Sequence, residues 1–178
     1  MAKSKSKKAN NPWKLYVTLI AAVTFLVIGG LALWAHTFIG NMVRTELAAQ
    51  KIYFPEKGAP ELDPAAYPDL QKYAGNLVDT PEEAKAYANG YIGRHLAKVA
   101  NGKVYAEVSA EAQKDPTNEL LQKQRTSLFQ GETLRGILLT SGYGFGTIGK
   151  IAGTVAYLMF IIGGVTLLAA VLIGFRRQ

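Results

Sequence analysis

Two histidines, His36 and His95, are the only imidazoles in a chain with no cysteine, and together they limit its metal chemistry. A zinc or non-haem iron site needs two or three His, Cys or carboxylate ligands with groups behind them. No HxxxH or HExxH spacing occurs. His36 falls at the edge of an apolar stretch and His95 on the apolar stripe of an expected helix, positions that packing explains. GxSxG is absent, and neither histidine has a serine at a recognisable spacing, so no nucleophile is paired with a base. These residues predict no catalytic group, no metal, no cofactor, no small-molecule substrate and no enzyme activity. The missing cysteines also exclude disulfides.

The most suggestive string is Thr140-Ser141-Gly142-Tyr143-Gly144-Phe145-Gly146-Thr147-Ile148-Gly149. Gly144, Gly146 and Gly149 spell GxGxxG, but that dinucleotide pattern needs a strand before it and a soluble βαβ unit around it. TSGYG resembles the TVGYG filter of potassium channels, which makes a homo-oligomeric channel built on Gly142 to Gly146 the alternative function. Lys123, Arg125, Glu132 and Arg135 just upstream are unlike a pore helix entering lipid. Geometry gives a third reading. Gly142, Gly146, Gly149 and Gly153, with Ala156 beyond and Gly29 and Gly30 in the other apolar stretch, are small residues at helical spacing. Such residues let two helices approach closely where lipid supplies no hydrophobic drive. They are the expected helix-packing face, toward the other span or another subunit.

The elements that must carry these residues are set by where charge is missing. Residues 15–43 and 151–175 contain no Asp, Glu, Lys or Arg. About 20 apolar residues at roughly 1.5 Å each cross a bilayer core, and LYVTLIAAVTFLVIGGLALWA and IAGTVAYLMFIIGGVTLLAAVLIG both qualify. Neither has a proline to break a helix or a carboxylate to relay ions. All 13 acidic residues lie between them with 13 of the 20 basic ones, so the net +7 resides in the tails. Lys3, Lys5, Lys7, Lys8, Lys14, Arg176 and Arg177 then place both termini in the cytoplasm against anionic inner-leaflet lipid. Topology accounts for the basic balance without nucleic acid. A cleaved signal peptide is the competing reading of the first stretch, but its apolar region is long and Leu33-Trp34-Ala35 is a poor cleavage site. A retained helix is expected.

The resulting layout is a basic tail at 1–14, a transmembrane helix at 15–38, an extracytoplasmic helical segment at 39–146, a second transmembrane helix at 147–175 and a tail at 176–178. The fold class is mainly α. The first helix should continue to Lys51. From Pro55 to Pro81, five prolines predict an extended, turn-rich wrap. Thr80-Pro81-Glu82-Glu83 is a capping box with proline at the first helical position, and Asn101-Gly102 ends that helix. Asp115-Pro116 offers a second start, with a stripe running to Ser141-Gly142. Such elements enclose little core, so Tyr53, Phe54, Tyr67, Tyr73, Tyr87 and Tyr91 are expected to contact a partner.

YANGYIGRHLAK (Tyr87 to Lys98), VYAEVS (Val104 to Ser109) and FQGETLRGILLTSGYGF (Phe129 to Phe145) resemble a group of small actinobacterial two-span membrane proteins of unassigned function. Some of these are labelled LigA-type aromatic ring-opening dioxygenases. That label implies a non-haem iron site, whose ligands this sequence lacks. The chain also resembles accessory factors of the actinobacterial cytochrome bcc–aa3 respiratory supercomplex. The resemblance spans roughly residues 43–175 and carries over no functional residue. The function expected is a non-catalytic accessory or assembly subunit, with other membrane proteins and anionic lipids as partners.

Overall fold

A computed structural model describes residues 13–176. Its helices are α1 (Trp13–Ala49), α2 (Pro81–Lys85), a π-helical segment (Ala86–Ile92), α3 (Gly93–Val99), α4 (Tyr105–Lys114), α5 (Glu119–Ile137), a second π segment (Leu138–Gly144) and α6 (Phe145–Phe175). Among the described residues there is no strand, and an isolated bridge joins Tyr53 to Leu77. α1 and the helical run ending in α6 are long and apolar enough to cross a membrane. Lys14 and Arg176 are exposed at the ends; Lys3, Lys5, Lys7, Lys8 and Arg177 lie outside the described residues. The chain divides into two compact units, residues 38–149 and the helical stretches flanking them.

In the flanking unit, α1 and α6 pair antiparallel, and the order of the contacts shows it. An added Cβ would meet the Phe160 ring at 3.0 Å on Gly29, Leu26 at 2.9 Å on Gly163 and His36 Nδ1 at 2.8 Å on Gly153. The buried positions of this stretch of α6 are Ala156, Gly163 and Ala170, and those of α1 are Ala22 and Gly29. A small residue thus recurs every seven positions on both helices. A seven-residue repeat keeps two helices in register with a left-handed supercoil, and small residues let the backbones approach. Gly30 and Gly164 meet nothing within 4 Å.

Residues 38–149 enclose a core that the sequence reading underestimated. Phe54, Leu62, Leu70, Val78, Ala84, Ala88, Val108 and Leu138 are each at most 2% exposed, and Val43 and Leu47 of α1 join them. The wrap supplies Leu62, Leu70 and Val78, and Phe54 directly precedes it. Backbone pairing closes it: Phe54 N donates to Asn76 O, Val78 N to Ile52 O and Gly75 N to Pro55 O, at 2.9, 2.8 and 3.1 Å. Gly75 has φ +75°, a backbone conformation that favours glycine. Two 3-10 turns, Pro60–Leu62 and Pro68–Tyr73, each begin on a proline. They tighten the stretch more than an extended wrap would.

Several boundaries differ from expectation. The capping box forms: Thr80 Oγ1 accepts from Glu83 N and Glu83 Oε2 from Thr80 N, both at 3.2 Å. Lys51 (φ +53°) follows α1, and Asn101 and Gly102 (φ +51° and +83°) follow α3. Residues 105–114, left unassigned by sequence, are helical because Glu107 accepts from Val104 N at 2.8 Å and Val108 and Ala112 face the core. The second start is capped by Asn118, which accepts from Leu121 N at 3.1 Å, rather than by Asp115. The helix continues past Ser141-Gly142, and no break separates residue 146 from residue 147. An added Cβ on Gly142 would lie 2.8 Å from Ala84 Cβ and 3.2 Å from Leu47, so its glycine serves close packing within a continuing helix.

Candidate functional site

The expected partner-contact residues do not form one surface. Phe54 and Tyr67 are 2% and 4% exposed, which gives them a role in the core in place of a partner contact. Phe54 stacks on Tyr73 at 5.2 Å and meets Tyr87 edge-on at 5.0 Å, and Tyr91 neighbours both Tyr87 and Tyr67 at 5.0 and 5.8 Å. Tyr73, Tyr87 and Tyr91 are therefore half-buried members of the same cluster, and Tyr53 alone of the six is well exposed. Burial raises the Tyr87 and Tyr91 hydroxyls above their ordinary value of 10.0, with neighbouring tyrosines adding to it.

The helical run carrying Tyr87 and Tyr91 includes the first π segment. Ala84, Ala88, Ile92, Leu96 and Ala100 are all buried, a strict four-residue period. An α-helix turns about 40° too far at each such step; the wider π turn draws the stripe back onto the core. It also presents the Ala88 carbonyl to α5. Arg135 Nε donates to Ala88 O and Nη2 to Asn89 Oδ1, both at 3.1 Å, while Glu132 holds Nη1 at 2.8 Å.

Of the glycines expected to pack helices, Gly29, Gly142, Gly146, Gly149 and Gly153 lie close to other segments of this chain, and Gly30 meets nothing within 4 Å. Gly146 lies against Pro81, and an added Cβ on Gly149 would meet Ile39 at 3.0 Å. Gly142, Gly146 and Gly149 are buried, as are Gly29 and Ala156. The TSGYG string is π-helical, with Phe145 N donating to Gly142 O and Thr140 O. Its carbonyls run along a helix. His36 is half-buried beside Gly153, whereas His95 is exposed, which corrects its expected place on the buried stripe. No group of three His, Asp or Glu among the described residues could hold a metal.

The surface that remains is on α5. On one side of it, a cleft of about 320 Å³ is lined by Tyr105, Arg125, Thr126, Phe129 and Gln130. On the other, a cleft of about 340 Å³ lies among Tyr91, His95, Leu96, Ser127, Gln130 and Leu134. Gln130 borders both. Tyr105 and Phe129 pair at 5.8 Å and are 39% and 57% exposed, and Val104 beside them is 59% exposed. Gln124 Nε2 donates to Val99 O and Gln122 Nε2 to Ala112 O, both at 2.9 Å, fixing α5 against α3 and α4. Sequence reasoning missed this surface. The available signal was Phe129 standing among Thr126, Gln130 and Thr133, an aromatic on a polar face.

No protein-family model, curated protein or solved structure matches the chain. The fold and this surface define a helical domain carried between two apolar helices that pair through small residues.

Proposed function

We propose that the protein is a two-span membrane protein that acts as a non-catalytic accessory or assembly subunit, with its domain of residues 38–149 outside the cytoplasm. One observation carries the reading: Val104, Tyr105 and Phe129 expose apolar surface outside both uncharged stretches, where lipid does not account for it. Tyrosine and arginine dominate the energetics of protein interfaces when set in a pocket, and Arg125 lines the smaller cleft together with Tyr105 and Phe129. The small-residue seam is used inside the hairpin, so docking through the domain surface and the outward span faces replaces docking through the glycines. The charge-free stretches and basic tails support both termini being cytoplasmic. The resemblance of residues 43–175 makes the cytochrome bcc–aa3 supercomplex the first partner to test.

The test is purification of the tagged chain in mild detergent, followed by mass analysis. Haem-containing membrane subunits should co-purify in fixed ratio and be lost with Tyr105→Ser plus Phe129→Ser, while the variant keeps its melting temperature. Recovery of a homo-oligomer alone, or unchanged recovery by the double variant, overturns the proposal.

A further inference from the structure

A groove of about 590 Å³ in residues 38–149 is separate from the α5 surface. Three cations and two carboxylates line it: Lys72, Lys85 and Arg94 with Asp69 and Glu82. These charges are not equivalent. Asp69 is engaged by Arg94 in a two-pronged pair, with contacts of 2.7 and 2.9 Å. Arg94 Nη1 also donates to Ala66 O at 3.3 Å, so this pair is part of the wall. Lys72 and Lys85 are held differently, each over an aromatic face. Lys72 Nζ is 4.8 Å from the Tyr73 ring centre and Lys85 Nζ 4.5 Å from that of Tyr143, with its hydroxyl at 3.3 Å. A tyrosine face restrains an ammonium without neutralising it. Lys72 also feels the Asp69 carboxylate and Glu82 shares the lining, so three cations against two carboxylates leave the groove one net positive charge for an anion.

Both π segments contribute to the groove, Ala86, Asn89 and Gly90 from the first and Tyr143 from the second. Backbone of this kind is rare and concentrates at functional sites. Sequence position narrows the ligand. Under the proposed topology this domain is joined at both ends to membrane spans, and anionic lipid phosphate is the anion most concentrated near it. We infer that this groove binds a phosphate diester or monoester of headgroup size, through Lys72 and Lys85, with an anionic phospholipid as the source. The choice of lipid rests on the proposed membrane topology; the phosphate chemistry does not.

The test uses the full chain in neutral detergent, with dioleoyl-phosphatidylglycerol, dioleoyl-phosphatidylcholine or glycerol 1-phosphate added. Binding is read as lipid retained in native mass spectra and as the ligand-dependent rise in melting temperature. The glycerol lipid should bind, the choline lipid should not, and Lys72→Gln plus Lys85→Gln should weaken binding about ten-fold or more. Lys57→Gln plus Lys123→Gln, exposed lysines outside the groove, should leave it unchanged and so separate the groove from general attraction to basic residues. Lys72→Gln alone, whose ammonium rests on one ring, serves if the double variant does not fold. An equal, lysine-dependent shift from glycerol 1-phosphate upholds the phosphate site and overturns the lipid as its source. Equal binding by wild type and the groove variants, or equal binding of the choline lipid, overturns the site. Failure of the topology is read separately by surface labelling of Lys57→Cys.

Discussion

Phe54→Ala tests whether the aromatic residues of the proline-rich stretch hold the domain together or await a partner. Phe54 is 2% exposed and contacts two rings. Emptying a buried phenylalanine site costs about 3–5 kcal/mol, and each ring pair accounts for roughly 0.5–1.5 kcal/mol of that. A domain has only about 5–15 kcal/mol in all, so the loss is a large share. At about 4 °C per kcal/mol for a unit of this size, the melting temperature should fall by about 12–20 °C. Tyr53→Ser is the internal control, since that side chain is 56% exposed and its change should stay within about 0.5 kcal/mol. The assay is thermal unfolding of the full chain in detergent, followed by near-ultraviolet circular dichroism of the tyrosines. A Phe54→Ala protein melting with the Tyr53→Ser protein would refute the reasoning and return Phe54 to the surface.

Thr80→Ala removes the hydroxyl of the capping box and should destabilise the domain by about 1 kcal/mol, measured by denaturant titration. Gly163→Leu should disrupt the hairpin, because Leu26 already occupies the space a Cβ needs. Gly164→Leu faces open space and should be tolerated; the rate of crosslinking between cysteines introduced on α1 and α6 reports both. Arg94 beside Asp69 holds that carboxyl below its ordinary 3.8. A depressed folded value means stability present above the ordinary range and lost as pH falls through it, so Asp69→Asn should flatten the acid limb of a melting curve taken below about pH 4. Tyr87 and Tyr91 are raised, so their contribution holds below about pH 10 and is lost as pH climbs beyond it. Tyr87→Phe should reduce alkaline destabilisation, seen in the same melts taken upward in pH.

What the sequence carried well was charge and local chemistry. Two gaps in charge mark both long apolar helices, and Thr80-Pro81-Glu82-Glu83 marks a helix start because its hydrogen bonds are local. What it concealed depends on distant residues. Gly142 reads as a packing residue for another span or subunit, and only the structure shows that Ala84 and Leu47 fill the space beside it. The seven-residue spacing of Gly149, Ala156, Gly163 and Ala170 is hidden by the denser i, i+4 glycines around it. Phe54 and Tyr67 read as partner contacts because the core they enter is assembled from the wrap, α2 and the end of α1 together. Neither π segment has a local signature; the four-residue burial period from Ala84 to Ala100 is the trace it leaves.

Everything proposed about partners and lipid depends on which side of a membrane each segment occupies. The chain has no native cysteine, so single cysteines report position directly. Lys57→Cys and Lys5→Cys proteins should be compared in intact cells with a membrane-impermeant maleimide. Labelling of the first alone, with the second reacting only after lysis, is the expected result. Labelling of Lys5→Cys in intact cells, or release of the intact chain from membranes by alkaline carbonate, would contradict the topology.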